Sequence, residues 1–171
     1  EYLRKRKIGF GNPRIGAMIE VPASVFVIDE IAKEAEFLCL GTNDLVQYLL
    51  AVDRDNEMVA DWFQTLHPAV IRAIKKVLRA GEENNIPVII CGEMAGSEFY
   101  VPILIGLGVN ELSMNINSIP KVRKVVSGIA FEETIELNNE IENCKTAQEV
   151  EAVVKKSFIE KWAHLTSNET K

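Results

Sequence analysis

Long apolar runs are missing from this chain. No segment approaches the roughly 20 consecutive apolar residues that cross a bilayer. No charged-then-apolar opening with a small-residue cleavage site occurs, so no secretory signal is expected. Basic residues are also in short supply: 19 Lys and Arg stand against 25 Asp and Glu, giving a formal net charge of −6 and a pI near 5.1. A general nucleic-acid binder needs basic surface to meet phosphates, so that class is disfavoured. The basic run Arg4-Lys5-Arg6-Lys7 is expected to be a solvated face. Cysteine is confined to Cys39, Cys91 and Cys144, an odd number at wide spacings that makes neither a zinc pattern nor a disulfide framework. Free thiols fit a reducing cytoplasm. Neither a Gly-x-Gly-x-x-Gly run nor a P-loop lysine is present, which lowers the nucleotide-binding reading.

What is present is an ordinary globular composition, 47% hydrophobic and 26% charged over 171 residues, enough for one domain with a sizeable core. Short apolar runs alternate with helical periodicity. Strands are predicted at Ile15–Ile19, Phe37–Leu40, Pro87–Ile90 and Glu111–Met114. One helix is predicted after Pro22 on the stripe Val25, Ile28, Ala32 and Ala35, and another through Leu45, Leu49 and Leu50, capped by Asn43 or Asp44. A long helix follows Pro68, a further one carries Ile103, Leu104 and Leu107, and Ser118 is expected to cap the next. From about residue 131 no strand candidate remains. There Thr146-Ala147-Gln148-Glu149 reads as a capping box opening a helix with Val150, Val154, Phe158 and Trp162 on one stripe. The tail after Leu165 is polar and expected to fray.

Strands alternating with helices predict an α/β fold with a parallel sheet and right-handed crossovers. Strands apolar on both faces are expected to need cover on both sides. Four βα units are half of a (β/α)8 barrel; a small doubly wound sheet is the alternative, and the pattern alone leaves both open. In either case the carboxyl ends of the strands form the functional rim. On that rim stand Glu20, the pair Asn43-Asp44 and Cys91. Each has a plain reading. Glu20 could simply face a helix dipole, and Asp44 and Asn43 could cap a helix. Arg54, beside Asp53, could make a surface ion pair of little worth. Cys91 could be an inert buried thiol, as is expected of Cys39. Two carboxylates on adjacent strand ends would also suit Mg²⁺, which takes few protein ligands and keeps several waters. A guanidinium at Arg54 could grip phosphate bidentately.

The runs Gly16-Ala17-Met18-Ile19-Glu20-Val21-Pro22-Ala23, Gly41-Thr42-Asn43-Asp44-Leu45-Val46-Gln47-Tyr48, Ala51-Val52-Asp53-Arg54 and Cys91-Gly92-Glu93-Met94-Ala95-Gly96 occur in that order. Together they resemble the phosphoenolpyruvate-binding domain of enzyme I, the phosphoenolpyruvate–protein phosphotransferases of bacterial phosphotransferase systems. Pyruvate phosphate dikinases and phosphoenolpyruvate synthases share the Asn-Asp and Cys-Gly motifs. The continuations Gln47-Tyr48 and Glu93-Met94-Ala95-Gly96 are closer to enzyme I. The resemblance runs from about Gly16 to Val126 and leaves the sugar and nitrogen-regulatory subfamilies open.

The resemblance implies a C-terminal part of a (β/α)8 TIM barrel, about four βα units, over residues 1–130, with residues 131–171 as a helical extension packed on the same domain. It implies Mg²⁺ held by Glu20 and Asp44, the substrate phosphate bound by Asn43 and Arg54, and Cys91 as the acid that protonates the enolpyruvate methylene carbon. Phosphoenolpyruvate and pyruvate would be the small-molecule partners, a phosphocarrier protein the onward acceptor, and a homodimer the assembly. Neither His67 nor His164 resembles the family's phosphorylated histidine, which sits in a separate domain. His67 is expected to mark a helix start and His164 to face solvent. With that domain and the earlier barrel strands outside the sequence, and no initiator Met, the chain is expected to be a piece of something longer that does not autophosphorylate alone. Its two open sheet edges are expected to favour association. The alternatives are a non-catalytic assembly or regulatory module, part of a related pyruvate phosphate dikinase or phosphoenolpyruvate synthase-type enzyme, and an aldolase-like barrel enzyme, for which no Schiff-base lysine stands out.

Overall fold

A computed structural model of the chain describes residues 1–165. One four-stranded parallel sheet runs in the order β1 (Ala17–Ile19), β2 (Leu38–Gly41), β3 (Val88–Cys91), β4 (Glu111–Ser113). The helices are α1 (Tyr2–Lys5), α2 (Pro22–Phe26), α3 (Ile28–Glu34), α4 (Thr42–Leu50), α5 (Pro68–Glu83), α6 (Val101–Gly106), α7 (Ile119–Gly128), α8 (Phe131–Glu142) and α9 (Ala147–Ser157). Every strand overlaps a run that predicted one, β2 and β3 each running one residue further, to Gly41 and Cys91. Among the described residues no helix is long and apolar enough to cross a membrane. The polar tail after Leu165 lies outside the described residues.

The strand order is consecutive. With right-handed crossovers, consecutive order puts every connecting helix on the same face of the sheet. Burial agrees. Ile19, Leu38, Leu40 and Ile90 are fully buried and share a core with Val25, Ile28, Leu45, Val46, Val70 and Ile74 from α2 to α5. The residues between them in the strands point the other way. Met18 is 50% exposed there, Cys39, Ile89 and Cys91 are half-buried, and Glu111 and Ser113 are exposed. Cover on both faces, expected from the apolar strands, is therefore not found among the described residues. A doubly wound sheet reverses its strand order at a switch point; this sheet has no reversal.

The single helix predicted after Pro22 is two helices. Val27 leaves helical geometry at φ −108°, ψ 26° and separates α2 from α3. The Phe26 carbonyl near the break accepts a hydrogen bond from Lys76 Nζ of α5 at 3.2 Å. The stripe survives because Val25, Ile28 and Ala32 are all buried.

Helices α6 to α9 build a second apolar cluster against α5, with Ile71, Val101, Ile103, Val125, Leu137, Val150, Val154 and Trp162. Thr146 Oγ1 accepts from the Glu149 N–H at 3.2 Å, as the capping box predicts, but the Glu149 carboxylate accepts from the Lys145 N–H rather than from Thr146. Residues spaced by four drift roughly 40° per step around an ideal α-helix. The chain counters this with a π-helical turn at Phe158–Trp162, which takes more residues per turn and returns Trp162 to the buried stripe. Trp162 Nε1 donates to Glu133 Oε2 of α8 at 2.8 Å.

Candidate active site

Because all strands are parallel, all their carboxyl ends emerge on one rim. Glu20 follows β1, Thr42-Asn43-Asp44 opens α4 directly after β2, Gly92-Glu93 follows β3, and Met114-Asn115 follows β4. The ends of β2 and β3 are tied together. Thr42 Oγ1 donates to the Cys91 carbonyl at 2.8 Å, and the Glu93 N–H donates to Asn43 Oδ1 at 3.1 Å. Between them Gly92 sits at φ +99°, where a Cβ would lie 2.6 Å from Thr42 Oγ1 and 2.9 Å from Asn43 Oδ1. Only glycine fits that turn without strain or collision.

Asn43 was predicted to cap α4, with Asp44 as the alternative, yet the N-cap is Gly41 and no side chain caps that helix. Asn43 is engaged with the neighbouring strand end instead. Ser118 likewise stands at the N-cap of α7 without a capping bond. Both residues line a cleft of about 500 Å³ at the rim, together with Cys91, Gly92, Glu93, Gly96, Ser113, Met114 and Asn115.

The other predicted residues stand outside that cleft lining. Glu20 is half-buried, and a Cβ on Gly41 would lie 3.0 Å from its Oε2, so the bare glycine leaves room for the carboxylate between the first two strand ends. Asp44 is half-buried in the first turn of α4, where the helix dipole favours its charge. Neither carboxylate has a hydrogen bond or ion pair among the described residues. Two hard oxygen donors left unpaired on neighbouring strand ends fit Mg²⁺ better than a soft metal. No group of three or more His, Cys, Asp or Glu residues able to hold a metal occurs among the described residues.

Arg54 lies in the turn after α4. Its backbone N–H donates to Gln47 Oε1 at 3.3 Å, and the Gln47 carbonyl also accepts from the Val52 N–H at 2.9 Å, so the loop is fastened to the last turn of α4. Its guanidinium is partly exposed, with Nε 3.8 Å from Asp55 Oδ1. That long, exposed pair leaves the fork available to an anion.

Cys39 shares the open sheet face with Cys91, two residues back on the adjacent strand. Burial, then the neighbouring Cys91 thiol, push the Cys39 thiol above its ordinary value. Cys39 is half-buried rather than fully buried as expected. Among the histidines, His67 is the N-cap of α5, its Nδ1 accepting from the Ala69 N–H at 3.1 Å, and His164 is exposed.

Sequence reasoning missed Ser113, Met114 and Asn115 as cleft residues and Thr42 as the tie to Cys91. The signal for the first three was present: Ser113 and Met114 end the fourth predicted strand and Asn115 follows it, on the same rim as the three motif runs. For Thr42 there was none, because its partner is set by strand register.

A family model described as the PEP-binding domain of PEP-utilising enzymes matches residues 2–131. The phosphoenolpyruvate-protein phosphotransferase of Staphylococcus aureus is 42% identical over 136 residues, covering 80% of this chain and 24% of that protein. The protein of the same name from Bacillus subtilis (strain 168) is 41% identical over 144 residues, covering 84% of this chain and 25% of its own length. A phosphoenolpyruvate-dependent phosphotransferase system protein of Salmonella typhimurium is 43% identical over 139 residues, covering 81% and 19% respectively. The chain thus spans a quarter or less of the length of these curated relatives. With most of its residues inside that family model, the chain belongs to the PEP-utilising enzymes through their PEP-binding domain.

Proposed function

We propose that this chain is the phosphoenolpyruvate-binding part of a phosphoenolpyruvate–protein phosphotransferase. In that reaction the phosphoryl group leaves the enol oxygen for a histidine nitrogen, and the enolate left behind takes a proton at its methylene carbon to become pyruvate. We assign the acceptor role to neither Leu66-His67-Pro68 nor Ala163-His164-Leu165, since neither resembles the family's phosphorylated segment. The acceptor belongs to another part of the protein, and the phosphohistidine passes its group to a phosphocarrier protein.

The observation that carries this reading is that Asn43 and Cys91 open into one cleft from the ends of adjacent parallel strands. A phospho-enol substrate needs a donor for its phosphate and an acid for its carbon in one cleft, the roles assigned here to Asn43 and Cys91. Phosphoryl transfer relies chiefly on positioning and charge stabilisation. Asn43 donates to a phosphate oxygen, Arg54 grips the phosphate through its fork, and Cys91 delivers its thiol proton to the methylene carbon and regains one from solvent. Glu20 and Asp44 would hold Mg²⁺, which supplies positive charge against the phosphate and carboxylate oxygens when bound.

The one-directional sheet and its uncovered face support reading the fold as an arc of a (β/α)8 barrel, with the open face as barrel interior. Helices α8 and α9 then belong to a helical extension of the same domain. A cytoplasmic location and a homodimeric assembly complete the proposal.

Titration calorimetry of phosphoenolpyruvate into the full-length protein tests the binding site. Heat of binding with Mg²⁺, abolished by EDTA and by Asp44→Ala, is the expected result. Binding that survives both treatments contradicts the metal assignment, and no binding under any condition points to a non-catalytic module.

A further inference from the structure

Thr, Asn and Asp are the residue types that normally cap a helix. Here Thr42, Asn43 and Asp44 stand in the first turn of α4, and none of them caps it. The first two are spent on the neighbouring strand instead. Thr42 is 1% exposed, and its hydroxyl reaches across the sheet to the Cys91 carbonyl. Holding that carbonyl fixes the plane of the Cys91–Gly92 peptide, because the peptide bond does not rotate. The last residue of β3, which lines the cleft, is thereby held in place. Gly92 then turns at φ +99° and delivers the Glu93 N–H to Asn43 Oδ1.

That second bond sets the sense of the Asn43 amide. A backbone N–H can only donate, so the atom facing it is the carboxamide oxygen, and Nδ2 is left as the outward donor. Among the described residues Nδ2 has no partner. An aspartate at this position could accept from Glu93 equally well, but it would present a negative charge to an anion. The same backbone turn therefore holds the strand end that carries an acid and orients the amide that meets a phosphate.

We propose that Thr42 is a positioning residue for Cys91, and that the Glu93 N–H orients Asn43, so that the two strand ends work as one unit on a phospho-enol substrate. This rests on the reading of the cleft given under Proposed function. Losing the Thr42 hydroxyl should loosen the acid without removing any group that binds the phosphate. Reversing the amide's charge sense at Asn43 should do the opposite.

The test is steady-state pyruvate formation by the full-length protein with Mg²⁺, after thermal unfolding shows each variant to be folded. Thr42→Val should lower kcat about tenfold with KM for phosphoenolpyruvate within about twofold. Thr42→Ser, which keeps the hydroxyl, should return kcat to within about threefold of the wild type. Asn43→Asp should raise KM about tenfold or more. If Thr42→Val is itself unfolded, the proposal stands on Thr42→Ser and Thr42→Ala, where the serine variant must be the faster of the two by about threefold or more. A Thr42→Val enzyme with unchanged kcat, or one in which KM alone rises, overturns the positioning role. A wild-type protein that forms no pyruvate overturns the functional reading, and this proposal with it.

Discussion

Gly92 concentrates the site's demands on a single residue. It combines a left-handed φ of +99° with the absence of a side chain against Thr42 and Asn43. Adding one methyl group should therefore strain the backbone and push apart both hydrogen bonds that join β2 to β3. Gly92→Ala is expected to destabilise the protein by about 2 kcal/mol, within the range for a non-glycine residue held in such a conformation. Urea unfolding checks this: the midpoint should fall with an unchanged slope. An unchanged midpoint would mean that the turn relaxes freely. At this scale the sequence was informative about which residues stand on the rim. Glu20, Asn43, Asp44 and Cys91 each end or follow an apolar run, and a parallel sheet sends all such ends one way. What could not be read was who touches whom. The Thr42–Cys91 bond joins positions 49 apart and depends on the pairing of Gly41 with Cys91, which no local pattern encodes.

Among the elements, the C-terminal helices do more than cover a surface. An aromatic series runs from Tyr100 and Phe99, in the segment after the Cys91 loop, to Phe158 and then Trp162. Successive ring centroids lie 5.4, 5.9 and 6.2 Å apart. Offset and edge-on aromatic contacts at such distances are attractive. Trp162 is 1% exposed and holds the Glu133 carboxylate through its indole N–H. Trp162→Ala should cost about 3–5 kcal/mol, the usual range for emptying a buried aromatic site. The check is thermal unfolding followed by circular dichroism; a midpoint within a degree of wild type would show that the Phe158–Trp162 turn does not support the fold. An ion pair between Lys75 and Glu142 also joins α5 to α8. The Lys75 ammonium holds the Glu142 carboxyl below the ordinary carboxylate range. Its small contribution is present above that range and lost as the pH falls below it, through the lowered Glu142 value. The helix break at Val27 was illegible in the sequence because the buried stripe runs through it without interruption, whereas β1 and β2 were marked on both sides by Gly, Pro or charged residues.

For the whole molecule, topology decides how the rim is read. A consecutive four-strand order leaves one sheet face and two edges, β1 and β4, without partners among the described residues. Apolar strands predicted cover on both faces, and the sequence could not show that one face stays open, because what would cover it is not encoded in the strands themselves. In the barrel reading the missing cover is the remainder of the barrel, and Cys39, Ile89 and Cys91 line its interior. The acidic balance of the chain gives no general attraction for an anionic substrate, so the proposed function rests on local donors, those assigned above to Asn43, Arg54 and a metal on Glu20 and Asp44.

The central claim is that Cys91 meets the carbon end of phosphoenolpyruvate in this cleft. The most direct measurement is mass-spectrometric footprinting of the cysteines with iodoacetamide, in the full-length protein, with and without phosphoenolpyruvate and Mg²⁺. Cys144, which burial and the nearby Glu149 and Glu140 keep above the ordinary thiol range, serves as the internal reference. The account predicts that substrate slows Cys91 labelling about tenfold or more, as occupancy of a binding cleft should, while Cys144 labelling is unchanged. Equal labelling of Cys91 with and without saturating substrate would contradict it.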